Sequence, residues 1–295
     1  MATKAKTKSK QTSTPAVLEA PSQLAKSFER GICLRLTLGG VGVHRKIATR
    51  EVMENSDIDQ DLIHVSKEIL ECEEYDEIQR LHREVKTFLA SRALLTRLQK
   101  SYYLVPTESF KEIWEGIQAY EQKIQDAANR LANTWDAVIA DAKKRLGPLF
   151  DAADYPARER VRSAFYVQVR PYKQEIPTEL KTLDADLFIK MKTQLEEDYA
   201  QEALELRAML RHNIMERVKH LAERLTGTRK GGKPKVFRDT AIAHIEDFLA
   251  YFDPRNVTDD NQLKGVVEQI RKTMKGVDAE TLRDDEKFRA SIAKE

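Results

Sequence analysis

Apolar residues along this chain recur mostly at three- and four-residue steps, with one early stretch that alternates instead. From Phe110 the series runs Ile113, Ile117, Tyr120, Ile124, Leu131, Trp135 and on to Leu146. That spacing puts them on one face of a long helix. Ser109-Phe110-Lys111-Glu112 reads as a capping box at its start, and Gly147-Pro148 stops it. At ~1.5 Å per residue the rod extends roughly 55 Å. A second stripe runs from Leu187 through Met191, Leu195, Leu206, Ile214, Val218 and Leu221 to Leu225. Its mean step of about 3.8 exceeds the 3.5 of a left-handed coiled coil, so the stripe drifts around the helix and suits several neighbours. The two stripes are expected to pack side by side, antiparallel, in one dry seam.

The alternating stretch is Gly31 to Thr37, with Ile32, Leu34, Leu36 and Leu38 on one side and Cys33, Arg35 and Thr37 on the other. It predicts a half-buried strand. Gly39-Gly40-Val41-Gly42 breaks it, and Val43 to Ile47 returns as a second strand, giving a β-hairpin over 23–50. A helix is predicted from the acidic stretch around Asp61 through Ile78, Leu81, Val85, Leu95 and Leu98 to Tyr102, ended by Val105-Pro106. A connector with Pro148, Pro156, Pro171 and Pro177 carries one helix near 157–169, where the alternation of Phe165, Val167 and Val169 leaves a strand open. Three short helices close the chain, over 239–252, 259–275 and 278–292, each led by an aspartate suited to N-capping.

The fold class is therefore mainly α: an elongated antiparallel helical bundle with long helices, a short N-terminal β-hairpin and a small C-terminal helical unit. The organisation is a basic, disordered tail (1–22), the hairpin (23–50), the long-helix bundle (51–226), a basic loop (227–238) and a three-helix unit (239–295). Composition agrees with a charge-laced helical protein: charged residues are 33% of the 295, against 11 Gly and 9 Pro. The net charge of +2 is too small to imply a nucleic-acid partner by itself. Two cysteines cannot form a disulfide framework, no apolar run reaches a membrane span of roughly 18 residues, and the basic first residues lack the apolar core of a secretory signal. These point to a cytoplasmic protein.

Candidate chemistry thins out when each motif meets its physical requirement. Gly227 to Lys233 matches a P-loop until Pro234 replaces the magnesium-binding hydroxyl, and a helix rather than a strand leads in. The same segment supplies the best candidate for binding nucleic acid or another anion: Arg229, Lys230, Lys233, Lys235 and Arg238, with no carboxylate before Asp239. Their plainer role is to complement the C-terminal end of the long helix. Asp57, Asp59, Asp61 and Glu68 imitate a calcium loop, but Leu62 stands where glycine must turn; an acidic helix N-terminus around 58–65 accounts for them. Gly39 to Gly42 lacks the third glycine of a dinucleotide fingerprint and reads as a tight turn. The six histidines and two cysteines show no metal-ligand spacing, and no GxSxG element exists. No catalytic, cofactor-binding or metal-binding residues are assigned.

The strand Ile32 to Leu38 with its glycine break, the helix Ile78 to Leu98, Tyr103-Leu104-Val105-Pro106, Asp154-Tyr155-Pro156 and Phe165 occur in an order that resembles an uncharacterised bacterial and phage domain-of-unknown-function family. Genes of that family sit near MoxR-type AAA+ ATPases and cobaltochelatase-like von Willebrand A-domain proteins. The resemblance covers roughly 30–180 and carries no catalytic residues. It implies a non-enzymatic, phage- or mobile-element-encoded accessory of such an ATPase and A-domain pair. The expectation is a non-catalytic helical interaction or scaffold protein, compatible with homo-oligomers. The alternative is a nucleic-acid-associated protein that uses the 229–238 loop and the N-terminal tail.

Overall fold

The computed structural model describes residues 25–48, 63–97, 101–226, 240–277 and 279–294. The fold is mainly α, with helices α1 (Glu73–Arg92), α2 (Phe110–Leu146), α3 (Arg158–Ala164), α4 (Glu179–Leu183), α5 (Ala185–Thr226), α6 (Thr240–Ala250), α7 (Phe252–Arg255), α8 (Asn261–Met274), α9 (Ala279–Asp284) and α10 (Glu286–Lys294). Six strands accompany them: β1 (Gly31–Leu38), β2 (His44–Ile47), β3 (Val65–Glu68), β4 (Leu94–Leu95), β5 (Tyr102–Pro106) and β6 (Val167–Tyr172).

Both long helices form where the apolar spacing predicts them, at 37 and 42 residues. The capping box does not form: Ser109 makes no side-chain cap bond, because a 3₁₀ turn at Thr107–Ser109 feeds the chain into α2. Helix α1 lies antiparallel on α2, since its partners move backwards as its own numbering advances: Glu71 meets Arg145, Glu77 meets Arg130, Phe88 meets Tyr120 and Arg92 meets Glu112.

The N-terminal region does carry a short antiparallel strand pair, but it joins β2 to β3, with His44 opposite Glu68 and Ile47 opposite Val65. Strand β1 does not fold back on β2 as the expected hairpin. It sits inside a separate antiparallel sheet of order β4-β5-β1-β6, with Gly31 opposite Pro106 and Leu38 opposite Val167. The reason is that both faces of β1 find cover there, whereas a two-stranded hairpin leaves one face bare.

Strand β5 corrects a second expectation. The helix predicted to run to Tyr102 stops at Arg92, where Ala93 turns extended (φ −117°, ψ 176°). Leu94-Leu95 and Tyr102–Pro106 then pair as antiparallel strands. Every residue of β5 is buried, as aromatic and β-branched side chains covered on both faces of a central strand should be. In the connector, α3 ends at Ala164 and the alternation of Val167 and Val169 belongs to β6.

The sheet separates two cores. Leu34, Leu36, Tyr103, Val105 and Val167 join α1, α2 and α3 in the first. Leu94, Leu104 and the half-buried Cys33 face α5 and the C-terminal helices in the second. The period-two alternation of a strand produces this division directly. It also overturns the single seam between the long helices: α2 buries Ile113, Ile124 and Trp135 in one core, α5 buries Leu206, Leu210 and Ile214 in the other.

In the C-terminal part, α6 and α8 occupy the expected positions, while the third expected helix breaks in two. Asp285 accepts hydrogen bonds from the amides of Lys287 and Phe288 and so starts α10. The cap of α8 is Asp260, not Asp259: its carboxylate accepts from the Leu263 amide. Asp259 takes φ 49° and pairs with Arg30.

Candidate functional site

The drift of the α5 stripe creates an apolar groove. Leu210, Ile214, Leu221 and Leu225 point into the second core. Met215 and Val218, on the flank, do not, and they remain 56% and 38% exposed. Across from them, α8 buries Leu263, Val267 and Met274 but leaves Val266 48% exposed. Ile245 from α6 and Ile292 from α10 close the floor of a groove of about 880 Å³. Its volume and apolar lining fall in the range of binding clefts.

A polar clasp holds α8 at this distance from α5. The Arg211 guanidinium donates to both Asp260 oxygens at 2.6 and 2.9 Å, and the Asp260 side chain is 3% exposed. Arg207 donates to the Thr258 carbonyl at 2.7 Å, and the Asp260 amide donates to the Asn256 side chain at 2.9 Å. Burial alone would raise the Asp260 carboxyl. The bond from Arg211, the Leu263 amide and the charge of Arg207 outweigh it and hold the group below its ordinary value.

The rim of the groove is cationic. Arg211, Lys219 and Lys272 line it, together with the neutral Gln269 and Thr273. Arg211 is committed to Asp260, so Lys219 and Lys272 carry the uncompensated charge. Neither has a carboxylate partner among the described residues, and no described carboxylate lines the groove.

A second apolar surface lies at the opposite end of α5. From Ala185 to Asp198 no side chain is buried. The helix meets the body of the protein at Tyr199, which stacks on Phe28 at 4.7 Å and donates to the Gln174 carbonyl. Before that point Leu187, Met191 and Leu195 stand four residues apart on one face, the first two 42% and 41% exposed.

The residues singled out as an anion site, Arg229, Lys230, Lys233, Lys235 and Arg238, lie outside the described residues, as do Gly227 to Pro234 and the aspartates at 57, 59 and 61. Glu68, the last member of that acidic series, sits in a strand and not at a helix entry. Of the nearby helix-end cations, Arg217 donates to the His244 carbonyl and Arg224 to the His220 ring. Gly39 to Gly42 line a polar cavity of about 700 Å³ with Arg45, Asp154 and Arg160. Gly39 is required there by close approach: a Cβ would lie 2.2 Å from the Tyr166 ring. Asp154 in turn pairs with Lys67 at 2.8 Å and Arg45 at 3.4 Å, which fastens the β2-β3 pair to the connector.

Among the described residues, no three His, Cys, Asp or Glu side chains gather closely enough to hold a metal ion, and no helix is long and apolar enough to cross a membrane. Burial pushes the Cys33 thiol up to about 11, so it is protonated and weakly nucleophilic near neutrality. The apolar surfaces at Met215-Val218 and Leu187-Met191 were not visible from spacing, because Leu187, Met191 and Val218 belong to the same stripe as the core and Met215 lies beside it. Compared with family models, with characterised proteins and with solved structures, the chain finds no match in any of the three.

Proposed function

We propose that this chain is a helical interaction protein that docks an acidic amphipathic helix in the groove between α5 and α8. The observation that carries the reading is an apolar groove, lipped by Met215, Val218 and Val266, whose charged rim is cationic throughout. An apolar helix face suits its floor, as in other helix-in-groove complexes. Acidic flanks on that helix suit Lys219 and Lys272, which steer encounter and select against basic partners. The family resemblance implies a AAA+ ATPase or a von Willebrand A-domain protein as the wider assembly in which this docking takes place, and that resemblance is its only support.

Fluorescence anisotropy tests the groove. The probe is a labelled helical peptide with leucine every four residues and glutamate on its other faces. The peptide binds the wild type and loses at least tenfold in affinity on Met215→Glu with Val218→Glu, while a lysine-for-glutamate version binds poorly throughout. Equal binding to the wild type and the double variant ends the reading.

A further inference from the structure

We infer that the occupant of the groove is the N-terminal arm of α5 from a second copy of this chain, so that the protein associates head to tail. The inference rests on the groove being a helix-docking surface and names what docks there.

Four observations meet. The arm is already helical, so binding requires little of the ordering cost a disordered segment must meet. Its apolar face, Leu187, Met191 and Leu195, has the i, i+4 spacing that a groove receives. Its charge is opposite to that of the rim: between 185 and 198 four carboxylates (Asp186, Glu196, Glu197, Asp198) stand with two lysines (Lys190, Lys192), and Lys192 reaches Glu196 at 4.0 Å. Finally, arm and groove belong to one continuous helix. Leu187 and Val218 are roughly 45 Å apart along the axis of α5 at ~1.5 Å per residue, so the arm cannot reach its own groove. Of the arms this chain offers, only a neighbouring copy's can fill it.

Such an interface is heterologous. Each copy offers one arm and one groove, and each addition leaves one of each unsatisfied, so association extends into a row or closes into a ring. Glu196 and Glu197 meet Lys219 or Lys272 of the neighbour along the rim, which makes the association weaken as salt screens the pair.

Analytical ultracentrifugation of the full chain, from micromolar to millimolar concentration, reads the result. The wild type gains mass with concentration. An arm variant (Leu187→Glu with Met191→Glu) and a groove variant (Met215→Glu with Val218→Glu) each stay monomeric, and both fold, since the substituted positions are exposed; unchanged far-ultraviolet circular dichroism checks this. Mixed one to one, they form a heterodimer and stop, because one intact arm meets one intact groove. Each single anchor substitution weakens association about 30-fold. A wild type that stays monomeric at every concentration overturns the inference. So does association that survives the groove substitutions but not those in the arm, which identifies arm-to-arm pairing. If the acidic test peptide binds the groove while the chain remains monomeric, the docking function stands and only the self-association falls; if neither occurs, both fall.

Discussion

The two long helices are built from the same kind of stripe and end in different circumstances. Helix α2 is covered from Ile113 to Trp135 by α1, α3 and the sheet, and Trp135 is fixed further by donating its indole N–H to the Pro156 carbonyl at 2.9 Å. Helix α5 is covered only in its middle and along one edge. Its first turns carry no buried side chain, and its last turns share their apolar flank with a groove. Helices of similar length thus divide the work: one closes a core, the other spans from a core to two bare surfaces. Exposed apolar area retained at both ends of one helix is a mark of association surfaces.

The largest effect expected from this contrast is at Trp135. Trp135→Ala removes a side chain that is 2% exposed together with its hydrogen bond, and costs about 4 kcal/mol in urea unfolding. A loss under about 1 kcal/mol would show that the first core is not the sealed one. Next comes the clasp. Asp260→Ala removes both the α8 cap and the partner of Arg211, for a loss of about 2 kcal/mol. This residue also has a pH signature. Its folded carboxyl titrates below the ordinary value of 3.8, so its contribution is complete above that value and disappears as pH falls through the folded pKa. The wild type therefore loses stability more steeply than Asp260→Ala below about pH 4, measured by thermal melts across an acid series.

Two helical glycines sharpen the comparison. A Cβ on Gly116 of α2 would sit 2.2 Å from the Phe88 ring, whereas one on Gly265 of α8 meets nothing within 4 Å. Gly116→Ala costs about 1–2 kcal/mol through overpacking, while Gly265→Ala raises stability by about 0.5–1 kcal/mol through lower backbone entropy in the unfolded chain. Opposite signs in matched denaturation curves support a tight α1–α2 contact and an open α8. The smallest effect is at the groove lip: Met215→Ala changes stability by no more than about 0.5 kcal/mol, although the docking measurement responds to it.

Local spacing revealed a good deal of this molecule. The limits of α2 and α5 follow from the stripes and from Gly147-Pro148, and the strand character of Gly31 to Leu38 follows from alternation. Partners did not follow. Gly31 pairs with Pro106 and Cys33 with Tyr172, and nothing local in either segment specifies a neighbour so distant in the chain. Tyr102 happened to continue a helical spacing from Leu95 and Leu98, although Tyr102–Pro106 is a continuous apolar run buried as a central strand. The candidate surfaces were hidden for a related reason. Leu187, Met191 and Val218 satisfy the stripe as well as Leu206 or Leu210 do, because periodicity reports which residues share a face and carries no information on what lies opposite.

Strand β1 has one more consequence, for the way this chain comes into being. Its two partners are Tyr102–Pro106 and Val167–Tyr172, so after it leaves the ribosome its second edge stays open until all of α2 and the connector up to β6 have been translated. Through that interval the nascent chain presents bare backbone amides and carbonyls beside alternating Leu and Ile side chains, the combination that recruits foreign strands. Synthesis of β6 closes both edges of the strand that serves both cores, and its second face is covered when α5 and the C-terminal helices follow.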